Sequence, residues 1–96
     1  MTPLDRLRSR RSAIMQLAAK YGIRRVRVFG SVSRDQAGAA SDVDLLVDFE
    51  QGRSLLDQVG FEQDVAALLG CRVDVVAEGG VSPYLERQIL EDAVPL

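Results

Sequence analysis

Apolar residues along this chain follow two different spacings. Between Leu4 and Tyr21 they recur at Leu4, Leu7, Ile14, Leu17, Ala18 and Tyr21, the period of an amphipathic helix. Thr2 as cap, Pro3 at the first position and Asp5 in the first turn mark its start, and Gly22 marks its end. Arg25 to Phe29 then alternates and is rich in β-forming residues, which predicts a strand ending at Gly30. Residues 31–41 carry two clusters of Gly or Ser and no long apolar period, so a short helical turn and a loop are expected there. Asp42 to Phe49 is the clearest strand: Val43, Leu45 and Val47 share one side, and Asp42, Asp44, Leu46 and Asp48 the other.

The second half repeats the alternation of types. Ser54 to Asp57 has a capping-box pattern, and apolar positions continue through Leu55, Leu56, Val59, Phe61, Val65, Leu68 and Leu69 until Gly70. Gly60 weakens this helix slightly. Arg72 to Val76 predicts a third strand and Gly79-Gly80 a turn. Ser82-Pro83 opens a final helix that is expected to turn Leu85, Ile89 and Leu90 inward and to run until Pro95. The fold class is therefore α/β (α+β), a small mixed sheet of at least three strands with helices packed on it. No repeat or linker divides residues 1–96, so a single domain is expected.

Connection lengths set the pairing. About twenty residues join the second and third strands, enough for a parallel crossover, and the shorter loop between the first two favours antiparallel pairing. One end of the sheet should then gather Gly30, Ser31, Asp42, Asp44 and Asp74.

Composition narrows the chemistry such a site can use. The chain of 96 residues has one cysteine, Cys71, and no histidine. Cysteine-cluster metal sites, histidine-ligated zinc and imidazole bases are excluded. What remains is carboxylates, hydroxyls, arginines, backbone amides and a hard metal ion. A lone thiol, and no segment read as a signal peptide, point to a cytoplasmic protein, and no apolar run approaches a membrane span. Net charge is −2, but residues 1–34 carry +8 and residues 35–96 carry −10. That division fits two differently solvated faces, or an acidic site with a basic arm for phosphate or an acidic partner.

Aspartate is depleted in strands, yet Asp42 and Asp44 lie two residues apart on one strand and Asp74 lies within another. Three carboxylates within about 4–5 Å would repel by roughly 3–4 kcal/mol per pair at an effective dielectric near 20. Set against a total stability of perhaps 5–10 kcal/mol, that repulsion calls for a cation, and a hard divalent ion such as Mg²⁺ is the natural one. Two such ions clamp a phosphate undergoing in-line displacement. Gly30 lets backbone approach a phosphate, Ser31 adds a hydroxyl, and Arg34 can neutralise a phosphate oxygen.

Gly30-Ser31-x-x-Arg34, then Ser41-Asp42-Val43-Asp44-Leu45-Leu46-Val47, then Asp74 after a helix, resembles the minimal nucleotidyltransferase (MNT) domain of the DNA polymerase beta-like superfamily. The resemblance is close over residues 22–78. It implies that Asp42 and Asp44 bind two Mg²⁺ ions and that Asp74 completes the catalytic metal site and helps deprotonate the attacking hydroxyl. It implies that Gly30 and Ser31 hold the β- and γ-phosphates, that Arg34 sits near them, and that Ser41 braces the strand entrance. Short members of the family are antitoxins of HEPN-domain ribonuclease toxins, and some silence the toxin by moving AMP from ATP to a tyrosine. The expectation is thus an ATP-using protein adenylyltransferase with a HEPN toxin as partner. Two alternatives stay open: an antitoxin acting by binding alone, and a nucleotidyltransferase acting on RNA or a small molecule. Direct nucleic-acid binding is not expected, and self-association is left open.

Overall fold

The computed structural model describes residues 3–30, 32–33, 42–80 and 82–96. Helix α1 spans Pro3–Arg8, α2 Arg11–Lys20, strand β1 Ile23–Phe29, β2 Val43–Phe49, α3 Leu55–Leu69, β3 Val73–Ala77, α4 Pro83–Asp92 and β4 Val94–Pro95. The strands form one mixed sheet in the order β3-β2-β1-β4. β1 runs antiparallel to both β2 and β4, while β2 and β3 are parallel, as the loop and crossover lengths predict. The loop expected over 31–41 lies outside the described residues apart from Val32 and Ser33, and so does the Thr2 cap.

The core lies on one face of the sheet. Val26 and Val28 of β1, Val43, Leu45 and Val47 of β2, and Val73 and Val75 of β3 meet Ile14, Ala18, Phe61 and Val65 of α2 and α3. Strand alternation therefore gives the sheet an apolar side that the helices cover. The crossovers explain the other side. β2-α3-β3 and β3-α4-β4 step across the sheet in opposite directions, and right-handed crossovers of opposite direction place their helices on opposite faces. Consistent with this, Leu46 is buried but stands outside the main core, which contains no residue of α4.

Three expectations are corrected. The single N-terminal helix is two helices. Continuing the apolar stripe needs apolar side chains at positions 10 and 11, and both are arginine. At the break the Ser9 hydroxyl donates to the Arg6 carbonyl (2.6 Å) and the Arg10 amide to the Leu7 carbonyl (3.0 Å), the local competition with helix bonding that serine offers. The final helix ends at Asp92 and is followed by β4, with Leu85 and Leu90 exposed rather than inward. Leu55, Leu56 and Val59 are likewise exposed, so α3 buries only its second half through Phe61 and Val65. Apolar periodicity marks a face that can be buried, but burial also needs a surface to pack against.

Gly60 has a packing reason. A Cβ there would stand 2.6 Å from Cε1 of Tyr21, whose ring packs edge-on against Phe61 at 6.4 Å. Among the described residues no helix is long and apolar enough to cross a membrane.

Candidate active site

Three chain reversals deliver the candidate residues to one sheet end. β1 finishes there at Phe29-Gly30, β2 begins there after Asp42, and β3 begins there after Arg72. The register is specific: Phe29 pairs with Asp44 on one side, and Asp44 pairs with Asp74 on the other. In-register neighbours share a face and lie about 4.8 Å apart across a sheet. Asp44 and Asp74 are thus adjacent on the face away from the core. Asp42, two residues before Asp44 on the same extended chain, stands at the rim. Asp42 and Asp44 are half-buried and Asp74 is exposed.

Gly30 is tied to this cluster by sterics. Its φ is +75°, and a Cβ built on it would lie 2.4 Å from Oδ2 of Asp44. A side chain here would strain the backbone and require the Asp44 carboxylate to turn aside. Beyond it the Ser33 hydroxyl donates to the Gly30 carbonyl (2.7 Å), tightening the turn. The Arg72 guanidinium approaches Asp42 at 3.9 Å but is itself 83% exposed, so this pair is weak.

The structure brings together Gly30, Asp42, Asp44 and Asp74. Ser31, Arg34 and Ser41 lie outside the described residues. The side chains are less gathered than the strand register. Among the described residues no three histidine, cysteine, aspartate or glutamate side chains are arranged to hold a metal ion. Adjacent carboxylates repel, and Asp74 faces solvent. Two neighbours were not singled out from sequence: Phe29, half-buried and in register with Asp44, and Arg72 beside Asp42. The alternation of Arg25, Arg27 and Phe29 carried the signal for the first. Only the register reveals the second.

The sequence profile of the nucleotidyltransferase domain family matches residues 10–96. The chain belongs to this family. A relative from Thermococcus cleftensis, the protein adenylyltransferase MntA, is 40% identical over 79 residues, covering 82% of this chain and 80% of its own. A solved structure provisionally described as a minimal nucleotidyltransferase is 51% identical, with a TM-score of 0.86, covering 100% of this chain and 97% of that one. The fold is shared further afield. The MNT antitoxin complexed with a tri-AMPylated HEPN toxin of Shewanella oneidensis has a TM-score of 0.67 at 21% identity, over 88% of this chain and 66% of that one. The chain is a nucleotidyltransferase with the minimal fold of its family, and its sheet end with Gly30 and the three aspartates is the candidate active site.

Proposed function

We infer that this chain transfers AMP from ATP to a hydroxyl of a partner protein, a tyrosine of a HEPN ribonuclease toxin, and thereby acts as its antitoxin in the cytoplasm. The observation that carries the reading is the in-register Asp44–Asp74 pair under Gly30. The family supplies the reaction class. The adenylyltransferase relative and the AMPylated toxin complex support protein as the acceptor.

The donor set of Asp42, Asp44 and Asp74 is all carboxylate oxygen, which suits a hard divalent cation. The Asp44 carboxylate lies directly against Gly30, where a Cβ would stand. By donor chemistry these residues suit Mg²⁺ and would hold it with their carboxylates turned toward a common ion. The chemistry such ions supply when bound is a more acidic attacking hydroxyl and neutralised charge on the leaving pyrophosphate. The chain's own groups do the rest. The backbone at Gly30 can approach the β- and γ-phosphates because no side chain intervenes. Ser31 would donate to the same oxygens, Arg34 would offset their charge, and Ser41 would brace the start of β2. The acceptor hydroxyl oxygen bonds to the α-phosphorus as the bond to pyrophosphate breaks, and its proton passes to the Asp74 carboxylate.

The test is α-labelled ATP with Mg²⁺, the protein and an extract of its own cells, comparing wild type with Asp44→Asn on a denaturing gel. A labelled protein band that requires wild type supports the reading, and mass spectrometry identifies the acceptor residue. Label confined to nucleic acid or to a small molecule overturns protein as acceptor. No label, with a tightly co-purifying chain, replaces transfer with inhibition by binding.

A further inference from the structure

A cleft of about 460 Å³ opens at the same sheet end as the three aspartates, on the helix-covered side. Its floor is the buried Leu7, Val32 and Val43, and its rim holds the exposed Arg6 and Arg10 beside Gly70-Cys71. Three of its lining residues are close in sequence to candidate site residues. Val32 follows Gly30 by two residues, Val43 lies between Asp42 and Asp44, and Cys71 precedes Asp74 by three.

The rim is cationic, and among the described residues no carboxylate neutralises it. Every described ion pair involves Lys20, Arg24, Arg25, Arg27, Arg53, Arg72 or Arg87. Among the described residues no carboxylate pairs with Arg6, Arg8, Arg10 or Arg11. Arg8 and Arg10 donate to the carbonyls of Pro95 (3.1 Å) and Leu68 (3.3 Å). Arg6 and Arg10, on either side of the break between α1 and α2, both line this rim.

We propose that this cleft docks an acidic segment of the protein acceptor, with one apolar side chain seated on Leu7, Val32 and Val43 and its carboxylates on Arg6 and Arg10. The proposal rests on the reading that the acceptor is a protein, and it assigns where that protein is gripped. An arginine rim recognises carboxylates, and a pocket of this volume takes a few side chains rather than a whole element. An RNA strand fits less well. The described lining has no aromatic ring for a base to stack on, and stacking platforms carry much of single-strand binding. Beyond the arginines the chain is strongly acidic, with −10 over residues 35–96, which repels a continuing phosphate backbone.

The test uses the full chain and a fluorescein-labelled peptide with glutamates flanking two leucines, read by fluorescence anisotropy. Arg6→Glu with Arg10→Glu should weaken binding by about tenfold or more, as should replacing the leucines by serine, and added salt should weaken it as well. Both arginines are exposed, so circular dichroism should show an unchanged fold. Equal binding by wild type and variant, no binding by wild type, or tighter binding of a single-stranded RNA of equal length overturns the proposal. Transfer is read separately with labelled ATP. Peptide binding without transfer overturns the function above and leaves the cleft assignment standing; transfer without peptide binding does the reverse.

Discussion

The face of the sheet away from the main core carries carboxylates at both ends, and the two ends treat them differently. At the far end Asp48 pairs in register with Arg25. Arg24 reaches Asp48 at 3.0 Å, Arg25 reaches Glu78 at 3.2 Å, and Arg27 makes a close ion pair with Glu78. Arg27 and Glu78 are only 19% and 18% exposed, so pairing there is part of how the sheet tolerates charge. At the near end the residues in register with Asp44 are Phe29 and Asp74, neither of them basic. One end is acid neutralised by the fold. The other sets Asp44 beside Asp74 in register, with the Arg72 guanidinium 3.9 Å from Asp42, an acidic cluster whose oxygens suit a cation. Leu46, buried between the two, separates them.

That contrast predicts which substitutions alter chemistry and which alter stability. The largest effect is expected for Asp44→Asn: transfer should fall on the order of 10³-fold or more while circular dichroism shows an unchanged fold. A variant that transfers at the wild-type rate would break the distinction. Gly30→Ala comes next. Positive φ and a Cβ 2.4 Å from the Asp44 carboxylate should lower stability by about 1–2 kcal/mol and activity by more than unfolding explains, measured as residual transfer well below the melting temperature.

Glu78→Gln tests the far end. Arg27 would keep its burial and lose its anion, lowering stability by about 2 kcal/mol in urea titration, with transfer by the folded protein unchanged. The smallest effect concerns a carboxylate whose hydrogen-bond donor is neutral. The Tyr21 hydroxyl donates to Oδ2 of Asp64 at 2.5 Å. That bond, with desolvation and the charges of Asp64 and Asp57, raises its pKa above the usual value of 10.0. A folded-state pKa above the unfolded one means that the contribution is whole below about pH 10 and is lost as pH rises through the folded value. The urea midpoint of wild type should therefore fall toward that of Tyr21→Phe in strong alkali, and a gap between them that persists there would remove the hydrogen bond as its cause.

Legibility from sequence followed the physics of each feature. β2 was readable because Val43, Leu45 and Val47 alternate with polar positions. The helix starts at Leu55-Leu56 and Tyr84-Leu85 were misleading, because a moment in the pattern says which residues can be buried together and not whether the sheet extends under them. The division of the first helix was visible only as a gap in the apolar stripe at Arg10 and Arg11. Asp42 and Asp44 were candidates by type, since two aspartates in an apolar strand need a reason. Asp74 is thirty residues further along, and local pattern alone does not pair it with them.

By itself the sequence determined the alternation of helices and strands, the acidic strand start, the exclusion of imidazole chemistry and cysteine-cluster metal sites, and a connection order compatible with only a few sheets. These are local or combinatorial properties, set by side-chain period, turn residues and loop length. The tertiary structure decided the rest. Register placed Asp74 beside Asp44, the return of β1 put Gly30 where any Cβ would strike that carboxylate, and the packing of α1 and α2 left Arg6 and Arg10 on a cleft next to the site. Each of these depends on distances between residues far apart in the chain, and such distances exist only once the sheet has formed and its core has closed.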